Sequence, residues 1–269
     1  MNNVFALAEE CLHRPSTEHK LAVSGKAVRL WEANKLDIRS LSEPTSIEET
    51  VFPDQPELVD PRQLPRRNPA STAGAVALLH SVAHIEFVAI HLAWDILYRF
   101  RYLPESFYGD WLQVASEEAL HFMLVRQRLR ELGSDYGRLP AHRGLWEIAE
   151  ETDRDLLARL ALVPRYMEAR GLDVTPGMIE KFQRSGDQKS AAILTRILDD
   201  EVGHVAIGTK WFHFICTQRE LAPEQTYFEL LQRHLRGKIR GPFNRETRRA
   251  AGFTENELDR LKKLAKRSK

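Results

Sequence analysis

Cysteine is nearly missing from this chain. Two residues, Cys11 and Cys216, among 269 exclude a disulfide framework, a CxxC redox pair, a Cys-ligated zinc site and an iron–sulfur cluster. So few thiols suit a reducing, cytoplasmic setting. Strand-like alternation of apolar and polar residues is almost absent, which leaves an all-α reading. The short VFALA segment at the start is interrupted by Glu9, Glu10 and His13, so no signal peptide is expected. Charge of one sign is lacking too: 39 Lys and Arg face 38 Asp and Glu, a formal +1, and the total makes no case for nucleic acid. Its distribution is uneven. Residues 231–269 hold 13 basic against 4 acidic residues, a balance of +9 that leaves −8 for the rest.

Long apolar runs are also scarce. The single stretch resembling a membrane span, Ala75 to Leu97, contains His80, His84, Glu86, His91 and Asp95, each expensive in hydrocarbon. A buried soluble helix with no membrane is therefore expected.

Residues 2–36 read as one or two amphipathic helices broken at Pro15. Six of the thirteen prolines fall within residues 44–69, a density that excludes regular helix and predicts an extended strap. Its apolar residues Val51, Phe52, Leu58, Val59 and Leu64 are expected to lie on the body. Four long helices follow: A over about 71–101 with Ser71 as N-cap, B over about 105–132 ending at Gly133, C over about 145–170, interrupted by Pro164 and closed by Gly171, and D over about 187–218. Turns are expected at Pro176-Gly177 and Ser185-Gly186, and a last short helix carries Leu258, Leu261 and Leu264. The domain reading is thus 1–69 helices and strap, 70–218 a four-helix bundle, and 219–269 a basic extension.

Helix B holds Glu118 and His121, and helix D holds Glu201 and His204. At i and i+3, a carboxylate and an imidazole leave one helix face close enough to serve one metal centre. With 25 Glu and 10 His, chance supplies roughly one such ExxH, and Glu10-Cys-Leu-His13 is taken as that copy. The other two share stripes with core residues: Trp111, Val114, Ala115, Phe122, Val125 and Leu129 on helix B; Leu194, Ile197, Leu198, Val205, Gly208 and Ile215 on helix D. Glu86 lies between Leu79, Val82, Ala83, Ile90 and Ala93, with no Arg or Lys from Ala75 to Tyr98. A buried carboxylate costs several kcal/mol unless compensated, and a metal would compensate it. Glu86 precedes Glu118 by 32 residues, and Glu168 precedes Glu201 by 33, so Glu-then-ExxH occurs twice. Four carboxylates balance two divalent ions.

Through HIEFVAI, FYGDWLQVASEEALHF, MEARGLDVTP, DDEVGHVAIGTKWF and PFNRETRRAAGF, over roughly residues 50–255, the chain resembles the ferritin-like di-iron carboxylate superfamily. Within it, the chain resembles the domain of unknown function 455 family. The EAR stretch is similar, more distantly, to the bacterial di-iron tRNA hydroxylases. The resemblance implies a ferritin-like bundle with metal ligands Glu86, Glu118, His121, Glu168, Glu201 and His204, and two iron ions or a manganese–iron pair. It further implies O2 as co-substrate, an external electron donor and an unidentified organic substrate. A rubrerythrin would need a Cys pair set, a radical-bearing reductase subunit would want Tyr where Val125 stands, and a storage ferritin needs neither arm nor tail.

Each residue has a plainer alternative. If Glu168 is not the helix C ligand, Glu150 or Glu151 replaces it. Asp200 is either an acceptor holding a ligand histidine or an ordinary surface carboxylate; Glu117 faces solvent or a neighbouring helix. His80, His84 and His91 are expected to be satisfied core histidines, and Tyr98, Tyr102, Tyr108 and Trp94 to pack. The basic tail is a solvated or self-docking face, or an RNA surface. The alternative to an O2-activating oxidase or hydroxylase is therefore a non-catalytic metal-binding or RNA-associated bundle, and a homo-oligomer is compatible with either.

Overall fold

The structure, a computed structural model, describes residues 2–40, 42–45, 52–64, 71–235 and 239–267. Among them it is all-helical, with two isolated β-bridges and no strand. The chain divides into two units, Met1–Glu147 and Ile148–Lys269.

In the first unit, α1 (Val4–His13) and α2 (Thr17–Glu32) form a helical hairpin around Pro15, packed against a longer one of α3 (Thr72–Arg99) and α4 (Glu105–Glu131). Ser71 caps α3 through its Oγ, which accepts from Gly74 N–H at 3.1 Å. After α4 the chain turns at Gly133, whose φ of +78° disfavours any residue with a Cβ. The predicted stripes of α3 and α4 are the core: Leu79, Val82, Ala83, Ile90 and Ala93 meet Trp111, Val114, Ala115, Phe122, Val125 and Leu129, all buried. Long and apolar enough to cross a membrane, α3 instead buries most of its length inside this unit.

The hairpins are joined by polar contacts as well as apolar ones. Trp94 Nε1 donates to Ser24 Oγ across them at 2.9 Å, and within the first hairpin the fully buried Lys20 ammonium donates to the Cys11 carbonyl at 2.6 Å. Residues 52–64 hold no helix beyond the 3₁₀ turn Pro61–Gln63, as proline density requires. They lie on the body through Val59 N–H to Ala141 O and Ala141 N–H to Glu57 O, and through Phe52, whose ring stacks on His91 at 4.9 Å. Val51, Pro65 and Pro69 lie outside the described residues. Tyr98, Tyr108 and Trp94 pack as expected. Tyr102 does not. It occupies a left-handed turn between α3 and α4 with φ +60° and is 73% exposed, its hydroxyl donating to Glu43.

Helix C differs most from expectation. In place of one helix ending at Gly171, α5 (Gly144–Glu151) stops in a turn at 152–154. Helix α6 (Leu156–Leu162) then runs into a π-helical segment, Val163–Glu168, and on into α7 (Ala169–Arg184). Pro164 has no N–H to give an α-helical ladder, and the wider π turn accommodates it. Helix α7 continues through Gly171, Pro176 and Gly177, where a stop was expected. An interior proline costs about 3 kcal/mol, and the burial of Ala169, Leu172 and Phe182 along the face that α7 packs on α8 (Gln188–Gln218) offsets it. The turn at Ser185-Gly186 falls where the sequence placed it.

Beyond α8, α9 (Pro223–Leu235), α10 (Arg245–Ala250) and α11 (Glu255–Arg267) fold back within the second unit, with Leu258 and Leu261 buried. Two arginines tie them down. The wholly buried Arg165 guanidinium sits among the rings of Phe212, Tyr227 and Phe253 and pairs with Glu257 at 2.8 Å; buried Arg248 pairs with Asp173 at 2.8 Å.

The π segment lies against α8 at Gly208, where a Cβ would come within 2.6 Å of Pro164 Cγ. Gly208→Val is expected to cost about 1–3 kcal/mol through overpacking. Gly177→Ala, exposed on α7 with open space around it, should gain about 0.5–1 kcal/mol. Urea unfolding of both variants checks the pair of signs.

Candidate metal centre

The hairpin of α3 and α4 sets Glu86 opposite Glu118 and His121. His121 Nδ1 lies 3.3 Å from Glu86 Oε2 and 3.6 Å from Glu118 Oε2, and one ligand atom from each of the three falls within 4.8 Å of the others. Their side chains are 5%, 0% and 0% exposed for Glu86, Glu118 and His121. Local sequence explains the convergence. Glu118 and His121 are one turn apart on a face otherwise made of Val114, Ala115, Phe122 and Val125, and Glu86 is held inward by Val82, Ala83 and Ile90 on its own helix. Burial opposes charge on His121, but the carboxylates of Glu118 and Glu86 outweigh it and hold the imidazole well above its ordinary range. The arrangement attracts positive charge, and two carboxylates with one imidazole form a donor set that could hold a divalent metal ion.

In the second unit the same short motif recurs on α8. His204 Nδ1 lies 3.6 Å from Glu201 Oε1, with side chains 1% and 12% exposed. Leu194, Ile197, Val205, Gly208 and Ile215 of the expected stripe are buried with them, and Leu198 is half-buried. Glu168 is the last residue of the π segment, half-buried with one carboxylate oxygen out of solvent. It stands midway along a continuous helical path rather than near a helix end. Glu150 and Glu151, its alternatives, are exposed on α5, so their carboxylates lie at the surface.

Asp200 accepts from Arg196 Nε at 2.6 Å, an i, i+4 surface pair. Glu117 accepts from Gln113 at 3.1 Å. Both buried thiols are free; burial pushes Cys11 up to about 12 and Cys216 up to about 11, which removes them from redox or ligand chemistry at neutral pH.

Of the α3 histidines, His80 and His84 are satisfied groups of a core network, whereas fully buried His91 reaches the Phe87 carbonyl through Nδ1 at 3.3 Å and its Nε2 meets no hydrogen-bond partner among the described residues. His84 Nε2 lies 3.0 Å from the His142 carbonyl, so it carries the proton, and Nδ1 accepts from the Tyr136 hydroxyl at 3.0 Å. His80 Nε2 accepts from Gly137 N–H at 3.0 Å. The Tyr136 ring stacks on both histidines and packs against Phe87 and Phe122, the residues following Glu86 and His121. Sequence reasoning passed over Tyr136, which sits in the GSDYGRLP connection with no periodicity to mark it.

Comparison with known proteins gives a family and no precedent for the chemistry. The family described as "Protein of unknown function (DUF455)" matches residues 13–259. An uncharacterised protein of Haemophilus influenzae (strain ATCC 51907 / DSM 11121 / KW20 / Rd) is 45% identical over 216 residues, covering 78% of this chain and 75% of that protein. No solved structure matches.

The His80 geometry fixes a pH dependence. Burial lowers His80 from 6.5 to about 4, against a smaller opposing pull from Asp135. Between these values the unfolded chain binds the extra proton, so this contribution to stability is complete above about pH 6.5 and is lost as pH falls toward 4. His80→Gln keeps an acceptor for Gly137 N–H without a titrating group. Its urea midpoint is therefore expected to change less between pH 7 and pH 4.5 than that of the unaltered protein.

Proposed function

We infer that this chain, which belongs to the DUF455 family of proteins of unknown function, is a ferritin-like dinuclear metal–carboxylate protein. In this reading two iron ions, or one iron and one manganese, are held by Glu86, Glu118 and His121 together with Glu168, Glu201 and His204. The observation that carries it is the buried triad of the first unit, whose ligand atoms already lie within 4.8 Å of one another on an apolar helical hairpin. A divalent ion offsets the cost of keeping two carboxylates in such a place. The second unit supports the dinuclear form by repeating Glu-then-ExxH with a closely similar spacing and a 3.6 Å Glu201–His204 pair. Four carboxylates then balance two divalent ions.

Bound there, a ferrous pair supplies the electrons for reducing O2 and oxidising or hydroxylating an organic substrate. The chain's own residues set the conditions. His121 and His204 would each offer the ions a ring nitrogen beside the carboxylate of its own turn. Phe87, Phe122 and Val125, all fully buried, keep water from the first unit's half of the ligand set. The inert Cys11 and Cys216 leave the reducing equivalents to an external donor.

Anaerobic loading with Fe(II), followed by desalting and elemental analysis, should give about two ions per chain. Glu118→Ala and Glu201→Ala should each lose both. Retention of one ion in Glu201→Ala would reduce the site to a mononuclear one on α3 and α4, and absence of iron from the loaded wild type would overturn the reading.

A further inference from the structure

The second unit carries another site, made from the chain's basic end. A cavity of about 500 Å³ opens between residues 241–243 and α11. Pro242, Phe243 and Leu258 give it apolar surface, and Arg245, Lys262 and Lys266 give it positive charge.

The cations of this region are not equivalent. Arg245 is held by Glu255 and, at 2.7 Å, by Asp259; Arg249 is held by Glu255, Arg260 by Glu224 and Arg248 by Asp173. Every acidic residue of the last 39, Glu246 excepted, is engaged in such a pair, counting Glu257 with Arg165. Lys262 and Lys266 differ. No carboxylate lies within ion-pair distance of either among the described residues, both are exposed, and at i and i+4 on α11 they extend from one face. Two ammonium groups outside any ion pair thus stand at an apolar recess, Lys262 also in the field of Asp259. Phe243 is half-buried there, with the Arg248 guanidinium 5.1 Å from its ring centroid, so its position is fixed from within the fold.

A ligand matched to this recess has a flat apolar body and an anionic group with oxygens for both ammoniums. A phosphate, monoester or diester, presents non-bridging oxygens to both, and a nucleotide carries it beside a flat ring. The surrounding excess of +9 over residues 231–269 extends the attraction beyond a single anion.

We propose that the cavity binds a nucleotide unit, its base against Phe243 and Pro242 and its phosphate between Lys262 and Lys266. The unit is either a free nucleotide or part of single-stranded RNA, and both present the same chemistry to these residues. Base stacking on an aromatic ring and phosphate capture by flexible lysines are the usual components of such recognition.

The test uses the full chain, its fold checked by circular dichroism, and a fluorescein-labelled single-stranded RNA 12-mer read by anisotropy from 50 to 200 mM salt, with adenosine monophosphate as competitor. Lys262→Ala/Lys266→Ala should weaken binding at least about tenfold and reduce the salt slope by about 0.7, the value for one phosphate contact on a single strand. Phe243→Leu should weaken it about five- to tenfold with the slope unchanged. Arg184→Ala, which removes a surface charge already paired with Glu180, should bind as wild type. Displacement by millimolar monophosphate supports a free-nucleotide site, and resistance to it supports a strand site. Two outcomes overturn the proposal: no binding of either probe at 50 mM salt, or equal binding by the double lysine variant. Iron content unchanged in that variant separates this site from the Glu and His residues of the metal reading.

Discussion

Ionisable groups placed on the core faces of apolar helices are the constraint around which both units are built. An uncompensated charge in such a place costs several kcal/mol, comparable to the whole stability of many domains. The first unit meets the constraint with His121 between Glu86 and Glu118 and with Asp95 against Arg99 at 2.6 Å. The second meets it with Arg165 against Glu257 and Arg248 against Asp173. The groups differ in their surplus. Each arginine–carboxylate pair is neutral as it stands, and Arg165 has three aromatic rings around it besides. The α3–α4 triad holds two carboxylates for one imidazole, so it alone among these clusters favours an added cation.

Backbone irregularity follows the same division. The first unit is regular around Glu86, Glu118 and His121: helical periodicity turns each inward, and the packing of α3 on α4 brings them together. The second unit breaks its helical path at Pro164 and widens into a π turn that ends on Glu168. The close approach of that turn to α8 depends on Gly208 having no side chain. One proline and one glycine, 44 positions apart in sequence, therefore set how the π segment meets the helix that carries Glu201 and His204.

The basic end, which composition marks as a separate element, is partly tied into the fold. Arg245, Arg248, Arg249 and Arg260 are matched by carboxylates, and α9 to α11 contribute Tyr227, Phe253 and Leu261 to the buried interior. Two of the cations outside these pairs, Lys262 and Lys266, stand one turn apart beside an apolar recess.

Much of the helical architecture was legible from sequence because it rests on local rules. Ser71 capping α3, Gly133 ending α4, the Ser185-Gly186 turn and the 3.6-residue stripes around Glu86, Glu118 and Glu201 each depend on residues within a few positions of one another. Helix C was misread for the opposite reason: Pro176 and Gly177 are local stop signals, and only burial against α8 overrides them. Tyr102, expected to pack, is turned out by a left-handed backbone, and Tyr136, which no sequence pattern singled out, is drawn in by His84 and the rings beside it. The sequence by itself determined the helices, the repeated Glu-then-ExxH and the absence of sulfur chemistry, since residue type and spacing suffice for these. The tertiary structure decided that Glu86 meets Glu118 and His121 within one ion's reach and that Arg248 and Arg260 of the tail pair with Asp173 and Glu224, because both depend on distances between segments far apart in the chain.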